Sequence, residues 1–258
     1  MEKLSLKLDS GRISYIKEGH GPPLLLLHSL GVSSEAWNKV LPSLAQRYTV
    51  YAPDMLGHAD SDKPPGNYRI EDYARSVVAF MDKLGLGKIV LCGNSVGGLI
   101  TLEIAVTNAE RIEKLVLVGC PSWEAWQRIE RLMLSALGFD IEGNPLPLSL
   151  EQLALTYVRT TPELLEWVNQ QRGKADIWIK KTMIAIGLYD AIPKLPLVKC
   201  PTLVLFGSKD MLREHEKTLL EGIKGAKHAL VPNAGHLPQI DNPQSFLQEV
   251  NQFLTSGE

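Results

Sequence analysis

Cysteine is scarce. The chain has three in 258 residues, Cys92, Cys120 and Cys200, an odd number with no C-x-x-C pair. That argues against a disulfide framework and against a zinc site. Cys92 and Cys120 end apolar runs, so they read as buried structural thiols. No run of one charge sign occurs, and 27 basic against 29 acidic residues leave a net charge of −2. Nothing in that balance calls for a nucleic acid or an anionic membrane surface. No apolar stretch reaches the roughly 20 residues that span a bilayer. The first residues alternate apolar and polar without the apolar block of a signal peptide, so a cytoplasmic location is expected. Repeats and low-complexity tracts are missing too, as are a G-x-G-x-x-G turn and a P-loop lysine. No cofactor and no metal is expected, and the partner expected is a small molecule.

What is present is a regular alternation of short apolar runs and amphipathic segments. Leu4–Leu8 and Arg12–Lys17 read as a hairpin around Asp9-Ser10-Gly11. Pro23–His28, Tyr48–Ala52, Lys88–Cys92 and Leu115–Gly119 are apolar without alternation, as in strands covered on both faces. Between them, Trp37–Arg47, Ile70–Leu84 and Gly97–Thr107 carry helical spacing. The pattern predicts an α/β fold with a mostly parallel, doubly wound sheet. From residue 122 to about 193 the spacing is helical, broken at Gly143-Asn-Pro-Leu-Pro147, and strands then return at Thr202–Phe206 and Ala229–Val231. Helices are expected near Arg213–Ile223 and over Pro243–Leu254, with a frayed tail from Thr255. Residues 122–193 thus read as a helical insertion between two core parts, 1–121 and 194–258.

The sharpest motif is Gly93-Asn94-Ser95-Val96-Gly97, fed by a strand and followed by a helix. A G-x-S-x-G at that junction places a serine on a strained turn where side chains two residues away would collide. Ser95 is therefore the candidate nucleophile, and the helix N-terminus behind it supplies backbone donors for an oxyanion.

A serine hydroxyl needs a base. Of six histidines, His236 lies in a turn-rich loop after the last strand and comes last in the chain, as the order Ser, acid, His requires. His215 and His228 fall in charged, exposed-looking context, and His28 ends an apolar strand. The acid should end a strand between Ser95 and His236. Asp210, after Leu203–Gly207, is the choice, although an aspartate there would also suit a helix cap. Asp190 and Asp241 are poorer candidates by position. One oxyanion donor should be the N–H of Val96, and the other the N–H of Leu30, with Ser29 next.

Taken together, Leu27-His28-Ser-Leu-Gly31, Pro53-Asp54-Met-Leu-Gly57, Gly93-Asn-Ser95-Val-Gly-Gly98, Phe206-Gly-Ser-Lys-Asp210 and Gly235-His236 resemble the α/β-hydrolase fold superfamily, in its esterase, enol-lactonase and C–C hydrolase branch with a helical cap. The resemblance runs over nearly the whole chain. It implies a Ser–His–Asp triad and hydrolysis through an acyl-enzyme. Ser29-Leu-Gly31 is similar to 3-oxoadipate enol-lactonases, while Pro53-Asp-Met-Leu-Gly57 and Gly-Asn-Ser95 resemble C–C bond hydrolases of aromatic degradation. The chain departs from the common Gly-x-Gly-x-Ser loop by carrying Ala59 in place of the second glycine, and from the C–C hydrolases by Leu237 after the histidine.

The expected activity is a carboxylesterase acting on small to medium apolar esters. C–C bond hydrolysis of a vinylogous diketone, enol-lactone hydrolysis and a ligand-binding receptor on a hydrolase fold are the alternatives. Trp123, Trp126, Trp167 and Trp178 fall in the insertion with Met133, Leu134, Leu137, Met183 and Ile184. They either roof a pocket for an apolar group, joined there by His28 and Leu237, or pack the insertion on itself and the core.

Overall fold

The computed structural model describes residues 2–134 and 138–256. Its strands are β1 (Lys3–Leu8), β2 (Gly11–Glu18), β3 (Pro23–Leu27), β4 (Thr49–Pro53), β5 (Ile89–Asn94), β6 (Ile112–Val118), β7 (Thr202–Gly207) and β8 (Lys227–Val231). They form one sheet in the order β1-β2-β4-β3-β5-β6-β7-β8. β2 pairs antiparallel with β1 and with β4, and from β4 to β8 every pairing is parallel.

The parallel strands explain their own sequences. Leu25, Leu27, Leu91, Leu115, Leu117, Val204 and Phe206 enter one apolar cluster, while Leu24, Leu26, Val90, Val116, Val118, Leu203 and Leu205 enter another. Alternate residues point to opposite faces of a strand, so the two clusters lie on the two sides of the sheet. Both faces are covered, hence the unbroken apolar runs.

Four helices or turns of helix precede the insertion or lie within its start: α1 (Leu41–Leu44), α2 (Ile70–Lys83), α3 (Val96–Thr107) and α4 (Ala125–Leu134). Then follow α5 (Leu150–Leu153), α6 (Pro162–Ala175), α7 (Trp178–Leu188), α8 (Glu216–Gly222), α9 (Pro238–Asp241) and α10 (Pro243–Thr255). α2, α3 and α8 bury their apolar sides in the first cluster, and α1 and α10 in the second. None of the described residues between Val118 and Thr202 adds a strand to the sheet. Among the described residues no helix is long and apolar enough to cross a membrane.

Three local expectations are corrected. Trp37–Arg47 is not one helix but a 3-10 turn over Ser34–Trp37 followed by α1. Pro42 lacks an N–H and its ring crowds the residue before it, so a helix cannot run through that position. The apolar residues that suggested a helix, Trp37, Val40, Leu41 and Leu44, are all buried nevertheless. His215 is buried beside Trp123, with ring centroids 5.7 Å apart, rather than exposed. The tail expected from Thr255 begins one residue later. The helix includes Thr255, and the carbonyl oxygen of Ser256 accepts a bond from Lys114 Nζ at 3.1 Å. Gly257 and Glu258 lie outside the described residues, as does Leu137.

Two buried histidines join the loops after β3 and β4. His28 Nε2 accepts the Met55 N–H at 3.0 Å, which puts the ring proton on Nδ1, where it donates to the Ser29 carbonyl at 2.8 Å. The ring of His58 meets it edge-on at 5.4 Å. Burial lowers the pKa of both, that of His58 to about 3.

Between about pH 3 and the ordinary value near 6.5, the unfolded chain therefore binds a proton at His58 that the folded chain refuses. Stability is expected to fall as pH drops through that window. His58→Gln is expected to flatten the slope by about 1.4 kcal/mol per pH unit. Urea titrations of both proteins from pH 7 to pH 4 test this, and parallel slopes would refute it.

Candidate active site

β5 runs directly into α3, and Ser95 is the single residue between them. Its backbone has φ 58° and ψ −116°, a left-handed conformation that costs a residue with a Cβ. The Ser95 N–H is tied to the Val118 carbonyl at 2.8 Å. A Cβ on Gly93 would lie 2.2 Å from the Gly97 carbonyl oxygen, and one on Gly97 would lie 2.4 Å from that of Leu27. Only glycine fits either position while the turn keeps its shape. Val96 opens α3, where first-turn N–H groups have no acceptor within the helix.

Asp210 follows the end of β7, and His236 sits in the loop between β8 and α9. His236 Nδ1 lies 3.0 Å and 3.1 Å from the two carboxylate oxygens of Asp210. A carboxylate only accepts, so Nδ1 carries the proton and Nε2 is left with its lone pair. Asp210 also accepts the Leu212 N–H at 2.9 Å. Ser95, Asp210 and His236 are all buried.

The structure gives roles to three residues that the sequence pattern left without one or, for Asp241, offered only as a fallback acid. Gly119, with φ 52°, has no room for a side chain: a Cβ would stand 2.7 Å from Asp210 Oδ2 and 2.9 Å from His236 Nδ1. Asn94 Nδ2 donates to the carbonyls of His236 and Val118, both at 3.1 Å, and its Oδ1 accepts from Gln239 Nε2 at 3.1 Å. Asp241 gathers three backbone donors, Gly235 at 2.8 Å, Val158 at 3.0 Å and Arg159 at 3.3 Å. Its carboxylate thus fastens the histidine loop to the insertion, and the His236 N–H adds a bond to the Thr156 carbonyl at 2.8 Å. Asn94 adjoins the serine, and Asp241 follows the histidine by five residues. Neither spacing reveals a backbone acceptor or donor without coordinates. Asp190 pairs with Arg128 at 2.9 Å, away from the histidine.

Ser95 and His236 line one cavity of about 190 Å³. Ser29, Leu30, Gly31 and Val32 form one wall, Met211 and Leu237 another. The insertion contributes Leu148, Thr156, Tyr157, Val168 and Arg172. A larger open groove of about 600 Å³ lies between the β1–β2 turn and α2, and neither Ser95 nor a histidine lines it.

Of the expected pocket residues, Leu237 lines the cavity and the others do not. His28 is enclosed beneath it, both ring nitrogens engaged with backbone. Trp178 packs against Tyr68 and Tyr73 at 5.2 Å and 6.5 Å. Trp167 donates to Glu35 Oε2 at 2.9 Å and joins an apolar cluster containing Val32 and Ala36. Trp123 adjoins His215, and Trp126 is 65% exposed. Tryptophan is the largest apolar side chain, and at Trp123, Trp167 and Trp178 packing claimed it ahead of the cavity.

A family model for the alpha/beta hydrolase fold matches residues 22–243. Haloalkane dehalogenase 2 of Mycobacterium tuberculosis is 29% identical over 90% of this chain and 88% of its own. The 2-hydroxy-6-oxo-6-phenylhexa-2,4-dienoate hydrolase of Burkholderia cepacia is 27% identical over 97% and 93%. Among solved structures, a hydrolase from Pseudomonas aeruginosa superposes with a TM-score of 0.81 at 26% identity, covering 98% of each chain.

The crowding at Gly119 has a direct consequence. Gly119→Ala is expected to part the Asp210–His236 pair while leaving the sheet intact. Proton NMR should show the low-field signal of the bonded His236 Nδ1–H in the parent protein and its loss in the variant. An unchanged signal would refute the packing argument.

Proposed function

The chain belongs to the alpha/beta hydrolase fold family, and we propose that it is a serine hydrolase that cleaves carboxylic esters through Ser95, His236 and Asp210. The observation that carries this reading is the pairing of His236 Nδ1 with both oxygens of Asp210, in a cavity that Ser95 also lines. In it, His236 Nε2 takes the proton of Ser95 as the hydroxyl oxygen attacks the ester carbonyl, and Asp210 stabilises the imidazolium that forms. The N–H groups of Val96 and Leu30 stabilise the oxyanion, with Ser29 beside them, and the N-terminus of α3 adds its dipole. The alcohol leaves with the proton from His236. Water, activated by the same histidine, then releases the acid from Ser95.

Residues 122–193 act as a cap over this site. The cavity, at about 190 Å³, is below the roughly 300–1,000 Å³ common for ligand pockets, which favours short acyl groups over long ones. A backbone held at φ 58° also favours an enzyme over a ligand-binding receptor, since strain of this kind clusters at working sites.

The dehalogenase relative does not carry its chemistry over. Displacement of a halide by a serine oxygen would leave an ether on Ser95, and acyl-transfer machinery has no carbonyl there to attack. C–C bond hydrolysis is the second reading. It is favoured by the Burkholderia cepacia relative and needs the same three residues, as enol-lactone hydrolysis also would.

Ser95→Ala is expected to lower the hydrolysis of 4-nitrophenyl acetate and butyrate by roughly 10⁴-fold or more with an unchanged circular dichroism spectrum. The parent's rate should fall as the acyl chain lengthens from butyrate to octanoate. Undiminished turnover by the variant would overturn the assignment. Rapid cleavage of a dienoate ketone with poor ester turnover would move it to C–C bond hydrolysis.

A further inference from the structure

The insertion exposes an apolar face that the chemistry at Ser95 does not use. Among the described residues, most of the large apolar side chains left exposed fall between 122 and 193. On α4, Trp126, Ile129 and Met133 are 65%, 60% and 73% exposed. Their offsets of three and seven residues put them in one row along the helix. On α7, Ile184 and Leu188 are 41% and 54% exposed, and Ile177, just before the helix begins, falls in line with them at 36%.

The packing of the two helices joins these rows. A Cβ built on Gly187 would lie 2.5 Å from Leu132 Cγ, so these two positions mark the line of contact. Arg128, one turn before Leu132, pairs at 2.9 Å with Asp190, which follows Gly187. The two chains of residues thus run in opposite directions along the contact, and α4 and α7 are antiparallel. An α-helix turns by about 100° per residue. The row on α4 therefore lies about 60–120° round from Leu132, and the row on α7 about 60–100° round from Gly187 in the same sense. In an antiparallel pair, like rotations away from the contact line lead to the same side. The rows form one face, two helices wide. Neither α4 nor α7 lines the cavity of Ser95 and His236, so this face is separate from that site.

We propose that this face is the contact between two copies of the chain, related by a two-fold axis. At their exposures the six side chains leave roughly 600–700 Å² uncovered. That is at or above the roughly 300–600 Å² of the largest patch on an ordinary monomer, and approaches the roughly 800 Å² per partner of a stable interface. A lipid surface is the other apolar partner, and the charges beside the rows disfavour it. Arg128 is held by Asp190, Lys180 lies over the Phe139 ring, and Lys181 donates to the Gly66 carbonyl. The exposed Glu130 borders the row on α4. An anionic membrane attracts cations free to meet it, and repels an acid.

Sedimentation equilibrium of the full chain, from about 1 to 100 µM, tests this. The parent is expected to reach the mass of two chains. Ile129→Glu and Leu188→Glu, one on each helix, each place a carboxylate in the contact twice. Each is expected to weaken association by roughly 100-fold or more. Leu4→Glu, on the exposed side of β1, should leave the dimer unchanged. A parent that stays monomeric overturns the proposal, as does a dimer that either helix variant retains in full or that Leu4→Glu dissociates. A monomeric parent that binds phosphatidylglycerol-containing vesicles, and loses them in Ile129→Glu, also overturns it and gives the face to a membrane. Melting curves of every variant exclude misfolding as the cause.

Discussion

Ser95 is held at φ 58° and ψ −116°, a conformation that costs of order 1–3 kcal/mol and persists only where its surroundings impose it. Here the impositions are identifiable. The Ser95 N–H is bonded to the end of β6, the carbonyls of Leu27 and Gly97 press on Gly97 and Gly93, and α3 begins at once behind the turn. The strands on either side are fixed in turn by the two apolar clusters of the sheet. Much of the architecture can be understood as the frame that keeps one hydroxyl raised at the carboxyl edge of β5.

The second demand is on His236, and the polar groups around it meet that demand by backbone contacts. Asp210 engages the ring, Asn94 the carbonyl and Thr156 the N–H, while Asp241 takes the N–H of the preceding Gly235. A loop histidine would otherwise sample many positions at an entropic cost of about 1–2 kcal/mol per residue ordered. Fixing the peptide on both sides of the ring removes that freedom, which under the proposed function preorganises the histidine before substrate binds.

How much of this could be read from the sequence follows from the kind of interaction involved. Strands β3 to β7 announced themselves because burial on both faces leaves continuous apolar runs, a pattern visible one residue at a time. Ser95, Asp210 and His236 could be nominated together because the proposed chemistry admits few residue types and each lies at or after a strand end, and the structure brings Asp210 and His236 into contact. What Gly119, Asn94 and Asp241 do could not be read, since it depends on which side-chain or backbone atoms come near them, from residues up to 142 positions away. The tryptophans left two readings open for a related reason. Hydrophobicity says that a side chain leaves water, not whether it lines a cavity or fills a core. Ala59 is the converse case. The substitution of a common glycine was plain in the sequence, and the chain still adopts φ 45° there, so the loop outweighs a cost of roughly 1–2 kcal/mol.

The insertion is tied to the histidine as well as to the cavity, and this affects how the site could change. Thr156, Val158 and Arg159 bond the histidine loop and Asp241, while Tyr157 between them and Arg172 on α6 face the cavity. α6 is fastened to the core by Lys174–Asp60, and Asp60 shares Lys3 with the fully buried Asp54. A substitution that reshapes this wall for a new substrate therefore pulls on the same backbone that positions His236. Under the proposed function, specificity and rate are coupled through the segment 156–159, and Val32, which shares an apolar cluster with Tyr157 and Leu237, is drawn into the same coupling. Under that reading, divergence of substrate is least costly where the cavity wall does not also hold His236.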